Sequence, residues 1–206
     1  NDKQYLLIYD PGEGLGQDYS TIQVLDITTE ITKQIAVFRD NTISTQEFPH
    51  IIDQISKMYN NALIIGENNL FGEILNDLNY ELDCNVFYDE KFGIRMTKKN
   101  KKIGCSFLKR NIENNLLEIS DFETISEFGT FIKQGKSYEA DTGYHDDLIT
   151  PLILFSYFII IKVCVENSID HYDVNGNLKD FYKKIQDDLL PAGYVNDGTN
   201  IMNLEN

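Results

Sequence analysis

Apolar and polar residues along the first forty positions alternate in a way that predicts three strands. Residues 4–9 (QYLLIY) form a short apolar run that stops at Asp10-Pro11-Gly12, a strand meeting a turn. Residues 20–28 (STIQVLDIT) and 34–39 (QIAVFR) alternate apolar with polar side chains and read as a hairpin joined near Glu30. The period then changes. Phe48, Ile51, Ile52, Ile55, Met58 and Tyr59 recur at helical spacing. Residues 62–65 (ALII) give a buried strand ending in Gly66-Glu67-Asn68, and a second helix is expected from about 69 to 78. After a short strand at 86–88 (VFY), residues 91–102 (KFGIRMTKKNKK) are basic and glycine-interrupted and read as a mobile loop. A helix over 103–114, a strand at 116–119, a helix over 121–131 and a strand at 136–140 follow. They lead to Gly143-Tyr144-His145-Asp146-Asp147, which opens a last, strongly apolar helix.

That last stretch, residues 148–165 (LITPLILFSYFIIIKVCV), approaches the length of a membrane span. It contains Pro151 and Lys162, follows acidic residues and lacks a one-sided Lys/Arg cluster, so a helix buried in the core is expected and no membrane partner. The polar, Asn-rich tail, 166–206, carries one amphipathic helix around 178–190 with Leu178, Phe181, Tyr182, Ile185 and Leu189 at helical spacing. We expect one domain over 1–165 with this tail packed on it; no internal repeat is present.

Composition narrows the class. A hydrophobic share of 42% is that of a globular chain, and Cys84, Cys105 and Cys164, without CxxC spacing, read as reduced thiols of a cytosolic compartment. No signal-like segment precedes the first strand, and the missing initiator Met points to a piece of a longer polypeptide. The net charge of −15 argues against nucleic-acid binding by bulk field, so any such binding must rest on a local basic patch and on bound cations. The one dense basic stretch is Arg95, Lys98, Lys99, Lys101 and Lys102, continuing to Lys109 and Arg110. It reads equally as a phosphate-contacting surface and as a solvated loop.

Three acidic positions fall at element ends. Asp10 closes the first strand, Glu67 closes the strand after the meander, and Asp146-Asp147 open the apolar helix. Each has an ordinary account by itself: Asp10 in a turn, Glu67 at the surface, Asp146 as a helix N-cap. Their combination carries the weight. If the strands of Asp10 and Glu67 are neighbours, the carboxylates lie side by side, and like charges that close need a counter-charge. Hard divalent cations, Mg²⁺ or Mn²⁺, supply one through oxygen ligands, and two ions sharing a carboxylate can clamp an attacking water and a leaving oxygen. His145 is expected to hydrogen-bond within its turn, and His50 and His171 to be ordinary helix and surface residues. Gly12, Gly14 and Gly16 raise the alternative of a phosphate cradle of the actin-like kinase kind, but that architecture needs two such domains and a longer chain.

The element order, an antiparallel meander followed by βα units, is the layout of an α/β, ribonuclease-H-like mixed sheet flanked by helices. The segments YLLIYDPGEGLGQDYSTIQVLDIT, ALIIGENN and GYHDDLITPLILF, with IGCSFLKRNIENNLLEI between them, resemble the nuclease motifs of large terminase subunits of T-even-type tailed bacteriophages, over about Tyr5 to Phe158. This resemblance implies a virus-encoded endonuclease, working in the host cytoplasm, that cuts concatemeric double-stranded DNA during packaging. It implies metal-binding catalytic acids at Asp10, Glu67 and Asp147, with Asp146 as a cap or supporting group. Asp18 stands where the family carries another important acid, and it reads equally as a turn residue opening the second strand. An ATPase domain and the phage portal would be partners of the full-length protein. No GxxxxGK[ST] occurs here, so cutting without translocation is expected. The alternative is an inactive module of the same fold that binds DNA or packaging partners. Pro151 departs from a simple helix after Asp147, because proline disfavours helical geometry at Thr150, and puts the helix start later or kinks it.

Overall fold

A computed structural model describes residues 3–69, 72–89, 91–135, 137–166, 194–196 and 201–203. The chain divides into two units, Asn1–Phe158 and Ile159–Asn206. The sheet and the candidate site belong to the first. In the second, β-hairpin strands Tyr194–Asn196 and Ile201–Asn203 pair antiparallel, and the amphipathic helix expected over 178–190 lies outside the described residues.

Three strands, β1 (Tyr5–Asp10), β2 (Ser20–Asp26) and β3 (Thr32–Asp40), form the expected meander, antiparallel in both pairings. Helix α1 (Phe48–Met58) returns the chain so that β4 (Leu63–Gly66) lies parallel to β1. Helix α2 (Gly72–Asn76) continues into a π-helical turn at Asp77–Glu81, then strands β5 (Tyr88–Asp89) and β6 (Lys91–Phe92) form a small hairpin. Helix α3 (Lys98–Glu113) leads to β7 (Leu117–Glu118), which pairs parallel with β3. Helix α4 (Phe122–Phe128), strands β8 (Phe131–Gln134) and β9 (Ser137–Ala140), and helix α5 (Ile149–Glu166) complete the described order. The main sheet runs β4-β1-β2-β3-β7. This is the mixed, helix-flanked sheet that the pattern predicts.

Both faces of the sheet are covered, and register decides which residue meets which cover. Tyr9 pairs with Ile22 and Gly66, and Tyr9 and Ile22 join Leu7, Val24, Ile64, Phe48 and Ile52 in the core under α1. Asp10 pairs with Thr21, one step along and on the opposite face. That face is covered by the start of α5, whose Ile149, Leu152, Ile153, Phe155 and Phe158 are all buried. Burial on every side accounts for the unbroken apolar run, and no described helix is long and apolar enough to cross a membrane.

Two local expectations are corrected. The basic segment is not a loop: α3 begins at Lys98, because Thr97 is extended and its side chain accepts the Asn100 N–H at 3.1 Å, a helix N-cap. Residues before it are tied down too, since Ile94 N–H donates to Gly66 O and Asn68 N–H to Ile94 O. The apolar helix, in turn, starts at Ile149 and not at Asp146-Asp147. Pro151 therefore falls in its first turn, where a missing N–H costs nothing, and Thr150 is helical.

Helix α3 meets α5 at Gly104, where an added Cβ would stand 2.6 Å from the Ile153 carbonyl oxygen. Alanine is the better helix former by about 1 kcal/mol, but overpacking against backbone costs about 1–3 kcal/mol. The clash wins: Gly104→Ala is expected to lower the denaturant midpoint without changing the m-value. An unchanged or raised midpoint would contradict this packing.

Candidate metal centre

The site forms where three separate parts of the chain converge on one sheet face. Asp10 ends β1, and Glu67 follows β4 directly, one step beyond the parallel pair Tyr9–Gly66. Strand pairing alone makes these two acids neighbours. Asp147 is brought in by hydrogen bonds to the 147–148 backbone. Thr21 Oγ1 donates to Asp147 O at 2.6 Å, Gln23 Nε2 donates to Leu148 O at 3.1 Å, and Leu148 N–H donates to Glu127 Oε2 at 2.9 Å. Because Thr21 is the cross-strand partner of Asp10, this anchor puts Asp147 on the face of Asp10.

The Asp147 carboxylate is itself oriented. Tyr19 N–H donates to Oδ2 at 3.1 Å, and His145 Nδ1 lies 3.4 Å from the same oxygen. His145 packs edge-on against Tyr19 with ring centroids 5.4 Å apart, and the Arg39 guanidinium stands over the Tyr19 ring, 3.8 Å from its centroid. Asp18 completes this corner: one ligating atom from each of Asp18, His145 and Asp147 lies within 4.8 Å of the others. So His145 meets Asp147 across its own turn and, while Asp10 and Glu67 are not part of that group, Asp18 joins these two. Gly12 permits this, since a Cβ there would meet Asp18 O at 2.6 Å, and its N–H donates to Ser20 Oγ. That close packing of the 10–20 segment is a structural account of Gly12 in place of a phosphate cradle. Asp146 does not cap the helix with its side chain. Its carbonyl takes the Ile149 and Thr150 N–H groups, while its carboxylate faces Lys101 at 3.6 Å.

Burial and mutual repulsion leave the carboxylates reluctant to ionise. Asp10 is held well above the usual range by burial first and then by the charges of Asp147, Glu67 and Asp146, with Lys101 opposing. Burial also raises Glu67, against Lys101 and Asn69, and raises Asp147, against the Tyr19 N–H and His145. Glu127 is pushed up to about 7 by burial, against the Leu148 N–H and Arg39. A cluster of oxygen donors short of positive charge, with one imidazole beside it, suits a hard or borderline divalent cation such as Mg²⁺ or Mn²⁺.

Of the expected basic residues, Arg95, Lys98, Lys99 and Lys102 are exposed, while Lys101 is half-buried and turned to the acids. Sequence reasoning missed Glu127, Arg39 and the buried amide network. In that network Gln34 Nε2 donates to Gln23 Oε1 at 2.7 Å, and Gln34 Oε1 accepts from Ser120 N and Asp121 N. The available signal was Gln23 set between Ile22 and Val24-Leu25 in β2.

The chain matches the Terminase RNaseH-like domain family over residues 7–153. It is similar to the large terminase nuclease of thermophilic phage G20c with bound magnesium, at 20% identity over 76% of this chain and 82% of that one, with a TM-score of 0.64. It is similar to the large terminase nuclease domain of Thermus phage P74-26 at 19% identity, over 74% and 78% of the two chains, with a TM-score of 0.61. The large terminase of another thermophilic bacteriophage, in complex with ADP, matches at 11% identity over 76% of this chain and 40% of that one, with a TM-score of 0.57. The G20c nuclease is also known with bound cobalt and with bound zinc. These likenesses establish the fold, in agreement with the ribonuclease-H-like layout read from the sequence.

The raised carboxyl groups fix a pH dependence. A group whose folded pKa exceeds its unfolded value keeps a proton that the unfolded chain has released, so stability falls as pH rises through that window. Here the window runs from the ordinary carboxylate range, about 4, up to the Glu127 value of about 7. Asp40, held low by hydrogen bonds from Thr42 and Ile43, acts in the opposite sense and only on the acid side of that window. In chelator the melting temperature is expected to be lower at pH 8 than at pH 5.5, and Mn²⁺ should narrow the gap. A melting temperature that climbs steadily over that range in chelator would contradict the assigned shifts.

Proposed function

Because the chain belongs to the Terminase RNaseH-like domain family, we propose that it is a metal-dependent endodeoxyribonuclease that cuts concatemeric viral DNA during genome packaging. The observations that support this reading are the placement of Asp10 and Glu67 at the ends of adjacent parallel strands and the charge of Asp147 acting on Asp10, beside the group of Asp18, His145 and Asp147. Asp10, Glu67 and Asp147 would hold the cations, and Asp18, His145 and Asp146 would support them. When bound, two Mg²⁺ or Mn²⁺ ions would stabilise charge developing on the phosphodiester and acidify the attacking water.

The chain's own residues divide the remaining work. Tyr19 N–H and His145 orient the Asp147 carboxylate, which would hold a cation. Thr21, Gln23 and Glu127 hold the backbone that carries it. The exposed Arg95, Lys98, Lys99 and Lys102 meet phosphates of double-stranded DNA beside the site, in an otherwise repulsive field. The metal-bound G20c structures support the cation reading. The ADP-bound large terminase, a longer chain than this one, supports an ATPase domain as partner in the full-length protein. The portal as second partner, the host cytoplasm as its location, and a nuclease domain over 1–165 complete the proposal.

Asp10→Ala should abolish Mn²⁺-dependent nicking of supercoiled plasmid while the protein stays folded; nicking at the wild-type rate would overturn the assignment. DNA binding without cleavage by the unaltered chain, at any divalent ion tested, would make it a binding module instead.

Neutralising Lys98, Lys99 and Lys102 together should weaken duplex binding and flatten its salt dependence. Each lost phosphate contact changes the log–log slope by about 0.9. An unchanged slope would return these lysines to the role of a solvated helix face.

A further inference from the structure

Lys101 stands apart from the other lysines of α3. Its side chain is 29% exposed and its Nζ lies 3.6 Å from Asp146 Oδ2, whereas Lys98, Lys99 and Lys102 are exposed. Helical geometry separates Lys101 from Lys99 and Lys102, while Lys98, three residues earlier, is the first residue of the helix and is exposed. Lys101, Gly104, Cys105 and Leu108 follow the i, i+3, i+4, i+7 spacing and form the inward stripe of α3. Gly104 rests on the Ile153 carbonyl, so α3 touches α5 at that level. One turn earlier, the same stripe brings Lys101 beside the segment that precedes α5.

The placement runs against the helix's own electrostatics. α3 has no acidic residue in its first turn and opens with lysines at the positive end of its macrodipole, which favours anions there. A cation kept in that position, and turned inward, needs a compensating negative charge. The acid centre provides it through Asp146, whose carboxylate lies 3.6 Å from the ammonium and next in sequence to Asp147.

We propose that Lys101 is the internal counter-cation of the acid centre: its ammonium balances Asp146, beside Asp147, in the metal-free protein, and a divalent cation takes over that task. This rests on the metal-centre reading above and assigns Lys101 a task different from phosphate contact. A fixed positive charge beside a cation site weakens binding of that cation, so Lys101 sets how much divalent ion the site needs before it fills.

The test is a Mn²⁺ titration at low ionic strength, read by the electron paramagnetic resonance of free Mn²⁺, on the full chain and three variants. Lys101→Gln should bind about fivefold or more tightly than the unaltered protein. Lys101→Arg keeps the charge and should stay within about twofold. Lys102→Gln, which removes the same charge from an exposed position, should also stay within about twofold. In chelator Lys101→Gln should melt lower than wild type, and Mn²⁺ should raise its melting temperature by more. Unchanged or weaker Mn²⁺ binding in Lys101→Gln overturns the proposal, and so does equal tightening in Lys102→Gln, which would make the effect one of bulk charge. Absence of Mn²⁺ binding in the unaltered protein would refute the metal-centre reading itself, and this inference with it.

Discussion

Everything at the candidate site depends on how one peptide, between Asp147 and Leu148, is fastened to the sheet. Its two flanking carbonyls and one N–H are taken by side chains of Thr21, Gln23 and Glu127. None of these is a candidate catalytic group. Each buried backbone group needs a partner, and here the partners come from β2 and α4 in place of a helical ladder. The segment therefore stays non-helical through Leu148, α5 begins at Ile149, and the Asp147 carboxylate meets Tyr19 N–H and His145. The Gln23–Gln34–Thr124 network braces the same region, with Gln34 also holding the N–H groups that open α4. The paired Gln23, Gln34 and Thr124 side chains favour one arrangement, because a slip would leave several polar groups unpaired; Glu127 Oε1 is buried without a hydrogen-bond partner.

The electrostatics follow from that convergence. Acids at the ends of β1, after β4 and before α5 are forced together by backbone geometry, and burial raises the cost of their charge. The chain as a whole carries −15, so relief cannot come from the general field. It comes from local placements: Lys101 inside the cluster, Arg39 near Glu127 at 3.6 Å, and His145 beside Asp147. The exposed Lys99 and Lys102 lie on another face of α3 from Lys101, and the exposed Lys98 opens the helix.

Much of this was legible in the residues. Periodicity located the three-stranded meander, α1, β4 and the apolar helix, since an alternating or 3.6-residue apolar pattern is the direct imprint of which side chains leave water. The acids at Asp10 and Glu67 could be paired because adjacent parallel strands put their ends in register. Local pattern failed where a backbone cap or a tertiary anchor governs. Thr97 starts α3 inside a run that its glycine and lysines mark as loop. Leu148, apolar and next to a helix, stays outside it.

The sequence by itself determined the strand and helix periods, the positions of the acids at element ends, and the single basic stretch, because each is a property of neighbours along the chain. Only the tertiary structure decided that Gln23 and Gln34 face a buried interface, that Glu127 holds Leu148, that Asp18 and His145 gather at Asp147, and that Lys101 alone among its neighbouring lysines turns inward. The physical reason is that both faces of the sheet are covered. A polar residue in an alternating strand then has no solvent side, and its partner must come from an element far along the chain, which no local pattern encodes.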